Sequence, residues 1–292
     1  MLLRTRQSSG HAKGLLITIS GVIVMTPDSL LVLLAGLEPL QTLVWRGYLQ
    51  CLAIACLIVG LKGKASVRVF RAIGIIGLFA ALSIAVSSAS FLYALDNTTV
   101  ANTLVILAAA PIFAAAFSSI FLKEAAETRT IVAILFVFTG IAIIGWGSLR
   151  EGTLVGDLAA LTTAISMAAY FTILRHAKHQ MMLPVIAIGG LLAGTTGLFL
   201  GGGTFPEGKT ILYLGLMGLL VMPLSSALLN IGPQYLPAAT VALILLLETF
   251  LGPYWVWLVL DQVPPAITLA GGSIVVTTLI VHALLGFRSN RS

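Results

Sequence analysis

The chain has 292 residues, of which 59% are hydrophobic and only 9% charged, with a mean hydropathy of +1.08 and a formal net charge of +6. A soluble surface carries roughly 25% charged residues, so this composition excludes a soluble domain and assigns most of the surface to lipid. At about 20 apolar residues per crossing, the length allows about ten spans and leaves no separate soluble domain.

Exposed backbone must be satisfied internally in a bilayer, so spans are helices or a closed barrel. The apolar runs Leu104–Phe121 and Ile131–Trp146 do not alternate with period two, which excludes a barrel. The predicted class is therefore all-α. In chain order, the first span is expected over about Gly14–Leu34 and the second over about Leu40–Leu61. Spans three to five follow at Ala72–Leu95, Thr99–Leu122 and Thr130–Trp146. Spans six to eight are expected at Asp157–Leu174, Pro184–Gly202 and Thr210–Ile231, and the last two at Pro237–Leu260 and Pro265–Leu285.

Basic residues orient these spans. With the amino terminus inside, cytoplasmic segments hold thirteen Lys and Arg, among them Arg4, Lys13, Lys62, Arg71, Lys123, Arg175 and Arg288. The outer loops hold two, Arg150 and Lys209. This bias predicts a multi-pass protein of a bacterial inner membrane with both termini cytoplasmic.

Sliding the chain along itself by 137 residues gives five identities over Val86–Glu124. Ser88 falls on Ser225, Phe113 on Phe250, and Ala101 and Thr103 on Ala238 and Thr240. An odd number of spans per copy inverts the second copy, and inverted repeats place a site near the midplane. The expected organisation is a tail at 1–13, a five-helix repeat at 14–146, a connecting loop at 147–156, a second repeat at 157–286 and a tail at 287–292.

The segment Phe91–Trp146, with Pro111 in a small-residue helix, then Phe121-Leu122-Lys123-Glu124 and Gly140, resembles the EamA repeat of the drug/metabolite transporter superfamily. Trp45-Arg46 resembles the start of that family's second helix, and Leu247-Glu248-Thr249-Phe250 stands where the family often has Glu-Pro or proline. Size and span number are most similar to the YddG-type bacterial amino-acid exporters. The resemblance implies a secondary transporter working by alternating access, exporting amino acids, aromatic ones included. An importer or exchanger of a vitamin or polyamine is the alternative.

Several residues are candidates for the pathway. Glu248 lies deep in the ninth span, where an acid costs roughly 2.5–3.5 kcal/mol, so it faces the bundle as a substrate-ammonium partner, a proton-coupling site or a hydrogen-bonded structural acid. Arg46 is expected to snorkel outward and pair with Glu38, or to clamp a substrate carboxylate. Thr26-Pro27-Asp28-Ser29 marks either a kink or a broken first helix whose site includes Asp28. Ser88, Asn102, Tyr170, Asn230 and Trp255 are further cavity candidates, and Pro27, Pro111, Pro223 and Pro253 are hinge candidates. Gly190 and Gly194 give the seventh span a small-residue packing face. No Walker loop, dinucleotide fingerprint or metal-ligand cluster appears. The expected partners are a small-molecule substrate, the lipid bilayer and a coupling proton. No catalytic residue, cofactor, metal or nucleic acid is expected, and the chain is a monomer or weak dimer. A membrane enzyme or a channel is the rival class.

Overall fold

In the computed structural model, the first predicted span is two helices rather than one. α1 covers Leu2–Met25 and α2 covers Asp28–Ala35. Pro27 has no N–H, so the carbonyl four residues back, on Ile23, loses its helical donor. The Thr26 hydroxyl takes that place, donating to the Ile23 carbonyl at 2.9 Å. Residues 2–13, expected as a tail, continue α1. The structure describes residues 2–98, 100–123, 128–148, 154–177, 183–201 and 203–261, with positions 270, 273, 274, 277, 278, 280 and 281 beyond them. The tenth predicted span and the tail at 287–292 otherwise lie outside the described residues.

The remaining helices are α3 (Pro39–Lys62), α4 (Ser66–Arg71), α5 (Gly74–Asn97), α6 (Val100–Leu107), α7 (Ala110–Phe117), α8 (Thr128–Ser148) and α9 (Leu154–His176). They continue with α10 (Leu183–Phe199), α11 (Lys209–Gly215), α12 (Met222–Tyr235), α13 (Ala238–Leu245) and α14 (Leu247–Leu260). No strand occurs among the described residues. Among the described residues, six stretches are long and apolar enough to cross a membrane, and Ala110–Leu122, Thr128–Gly140 and Leu183–Phe199 are shorter apolar helices. Large apolar side chains point outward along them, including Leu52, Phe79, Phe136 and Leu220, each more than half exposed. In water such a surface would aggregate; in lipid it is the expected exterior.

The fourth and ninth spans are also broken. α6 and α7 part at Ala108 and Ala109, with Pro111 in the first turn of α7. α13 and α14 part at Leu246, with Glu248 in the first turn of α14. Ala109 and Leu246 have nearly the same backbone angles, φ −72 and ψ −14 against φ −64 and ψ −13. They stand 137 residues apart, the offset of the internal self-match. Pro253, one of the hinge candidates, lies inside α14. In the eighth span, a π-helical stretch at Leu216–Val221 precedes Pro223. That wider stretch surrounds the Leu219 carbonyl, which the proline leaves without a helical donor.

The packing partners exchange in a regular way. α1 packs on α12 as α5 packs on α9, and α14 touches α2 as α6 touches α9. α3 pairs with α10, and α7 with α13. Exchanging the first span for the sixth, the second for the seventh, and so on, maps this set of contacts onto itself.

The α3–α10 pair rests on glycine. A Cβ placed on Gly47 would lie 2.5 Å from the Gly190 carbonyl oxygen and 2.6 Å from the Gly194 nitrogen. Both are backbone atoms and cannot swing aside. The small-residue face of the seventh span is thus an internal packing face, and backbone contact of this kind is what holds helices together in lipid. Gly47→Val is expected to destabilise the protein by about 1–3 kcal/mol or more through overpacking. Thermal unfolding in detergent measures it: a melting temperature within a degree of wild type would show that the contact is not formed.

Candidate functional site

The three breaks and the centre of the second span converge on one cavity of about 100 Å³. α1 contributes Met25, α2 Asp28, α3 Arg46 and Gln50, and α5 Ile84, Ser87, Ser88 and Phe91. α6 supplies Leu107, α9 Thr163, Met167, Tyr170 and Phe171, α12 Met222, Ser226 and Leu229, and α14 Glu248. The wall is apolar over most of its area, with a small number of charged and hydroxyl groups. That is the usual build of a small-molecule site.

The charged groups form one cluster. Arg46 does not snorkel outward; it is 5% exposed, and its Nη2 lies 2.7 Å from Asp28 Oδ2, itself 2% exposed. The expected pairing with Glu38 is therefore replaced by Asp28. The reason is geometric: the break at Pro27 turns Asp28 inward at the first turn of α2, whereas Glu38 precedes the first turn of α3. The same Arg46 Nη2 donates to the Met222 sulfur at 3.0 Å, and the guanidinium sits 6.0 Å from the Phe91 ring centre.

The cluster is incompletely satisfied. Among the described residues, Asp28 Oδ1 and Arg46 Nε and Nη1 are buried without a hydrogen-bond partner. Glu248, 5% exposed, lies within electrostatic reach of both Asp28 and Arg46. Each acid opens a half-helix, so the helix dipole favours its charge. Two carboxyl groups and one guanidinium meet at the cavity, so acidic groups outnumber basic ones there. Buried polar groups left open in this way call for a partner.

Around the cluster, Gln50 Nε2 donates to Ser226 Oγ at 3.0 Å, and Ser90 and Thr163 share a hydrogen bond of 2.8 Å. Asn230 Nδ2 donates to the Tyr170 hydroxyl at 3.2 Å. Tyr170 faces the cavity, while Asn230 stands behind it and does not line the wall. Trp255 is also off the wall: its indole N–H donates to Thr26 Oγ1 at 2.8 Å. The Asn102 side chain lies outside the described residues. Of the sequence candidates, the structure thus brings Asp28, Arg46, Ser88, Tyr170 and Glu248 together on one cavity.

Sequence reasoning passed over Gln50, Met222, Ser226 and Thr163. Gln50 was accessible, because it lies four residues after Arg46 on the same helix face. The other three carry no local signal that separates them from ordinary apolar-helix residues. Among the described residues no group of three His, Cys, Asp or Glu is arranged to hold a metal ion.

No curated protein matches the sequence. A solved crystal structure, 13% identical, superposes with a TM-score of 0.80 over 97% of this chain and 100% of the other, which establishes a shared fold. Residues 12–146 match the EamA-like transporter family, whose members are membrane transporters of small molecules. The chain is therefore a multi-pass membrane protein whose residues 12–146 are similar to the EamA-like transporter family.

Proposed function

We propose that this chain is a secondary transporter that moves a small zwitterionic amino acid through the central cavity by alternating access. The observation that carries the reading is the open valence of the cluster. Among the described residues, Arg46 Nε and Nη1 have no acceptor and Asp28 Oδ1 no donor, and Glu248 faces the same space. A substrate carboxylate would satisfy the guanidinium as a planar bidentate partner. A substrate ammonium would satisfy the acids, and Ser88, Tyr170 and the methionines would surround the side chain.

The inverted-repeat reading, with copies at 14–146 and 157–286, is supported by the exchange of packing partners and by the two breaks 137 residues apart. The family match over 12–146 supports the first copy. Such repeats place broken helices around a midplane site and rock against each other. The thirteen-to-two charge bias supports cytoplasmic termini in a bacterial inner membrane, and the resemblance to amino-acid exporters supports outward transport. A second reading, carriage of a polyamine, is favoured by the excess of acids over the single cation in the cavity.

Counterflow in proteoliposomes separates the two. Vesicles loaded with unlabelled L-amino acids, polyamines or vitamins are exposed to the same labelled compound. Saturable exchange of neutral amino acids is expected. A flat response to every amino acid, with exchange of putrescine or spermidine, would overturn the amino-acid reading. Continuous ohmic conductance would instead identify a channel.

A further inference from the structure

Trp255 stands seven residues after Glu248, two turns along the same face of α14. Its indole N–H donates to the Thr26 hydroxyl at 2.8 Å, and that hydroxyl donates to the Ile23 carbonyl at 2.9 Å, the acceptor left by Pro27. Thr26 is 1% exposed and lies two residues before Asp28. Between the two acids and this bond, Gly252 closes the contact: a Cβ there would meet the Ser29 hydroxyl at 3.3 Å. The face of α14 formed by Glu248, Gly252 and Trp255 thus lies along the break of the first span. A single hydroxyl both satisfies the broken helix and ties it to the helix that carries the other acid.

We propose that Thr26 and Trp255 form a clasp that ties α14 to the break of the first span and holds Asp28 and Glu248 at a set separation. Trp255 is then a positioning residue and not a contact for the cargo. This function of the clasp rests on the proposal that transport runs through the Asp28–Arg46–Glu248 cavity. The chemistry fits a link that must survive rocking of the halves. The indole is a donor only, and the threonine hydroxyl accepts from it while donating onward, so the polarity of the chain is fixed.

Hydrogen exchange by mass spectrometry on the full-length protein in lipid nanodiscs tests the coupling without any cargo. Trp255→Phe is expected to speed exchange at residues 28–31, and Thr26→Val to speed it at residues 247–251. Each change is about five-fold, the factor for one lost hydrogen bond of ordinary strength. The double variant should show no more than either single one, and Thr26→Ser should match wild type. Effects confined to the substituted helix, or a Thr26→Ser variant as perturbed as Thr26→Val, would overturn the clasp. In counterflow of the amino acid that wild type exchanges fastest, Trp255→Phe should raise KM about five-fold with the maximal rate within two-fold. An unchanged KM, with Asp28→Asn and Glu248→Gln inactive, would overturn the positioning role. If Asp28→Asn and Glu248→Gln exchange normally, the cavity reading itself falls, and the positioning role with it; the exchange experiment still judges the clasp.

Discussion

Arg46→Gln is expected to abolish transport and to destabilise the protein by about 3–5 kcal/mol, because it strands Asp28 as a buried charge with no counterion. Among the described residues Asp28 has no other cationic neighbour at bonding distance: its Oδ2 is held by Arg46, and its Oδ1 has no partner. Arg46→Lys should also fail in transport, since a point charge cannot reproduce the planar fork. Stability and function separate in the double variant Asp28→Leu/Arg46→Met. Replacing a buried ion pair with apolar residues is often neutral or stabilising, so this protein should melt near wild type yet transport nothing. If it transports normally, the pair is structural only.

Glu248→Gln is expected to behave in the opposite sense. The Glu248 carboxyl group is 5% exposed and lies on the cavity wall, and among the described residues it has no salt-bridge partner to lose. Removing the charge should therefore leave the melting temperature unchanged or raise it. Counterflow should fall about 100-fold, the upper range for losing one charge-assisted contact to the substrate. Glu248→Asp should retain more activity than Glu248→Gln, because charge rather than reach is the property required. A Glu248→Gln protein that unfolds would show that the acid is a structural element.

Much of the architecture was legible in the residues, and the misses have physical causes. Apolar length and basic loops outlined the spans because lipid imposes a fixed thickness and a backbone fully bonded within each helix. The break at Pro27 was open as an alternative because proline removes a donor. The break at Leu246 was not anticipated, since no proline stands there. Yet the 137-residue offset sets Glu248 opposite Pro111. Both residue types suit the first turn of a helix, one through its missing N–H and the other through the dipole. The pairing was a sign that the two helices restart at the same place.

The candidate site was read in part for a similar reason. An acid or arginine deep in a span must face the protein interior, so Glu248 and Asp28 were visible as single residues. Their meeting with Arg46 was not, because it depends on how three broken or packed spans converge, and sequence spacing favoured Glu38. Trp255 and Asn230 were visible as polar side chains in apolar helices. Which of them faces the cavity and which braces a neighbour is decided by helix rotation, and composition does not carry that information.

The central claim is that the cluster of Asp28, Arg46 and Glu248 binds the two charges of a zwitterion. It is tested most directly by competition in the wild-type counterflow assay. The amino acid exchanged fastest is challenged with three unlabelled compounds: itself, its methyl ester, which lacks the carboxylate, and its deaminated acid, which lacks the ammonium. The account predicts competition by the intact amino acid and at least ten-fold weaker competition by each of the other two, the factor for losing about 1.4 kcal/mol of binding. Equal competition by the ester or by the deaminated acid would contradict it.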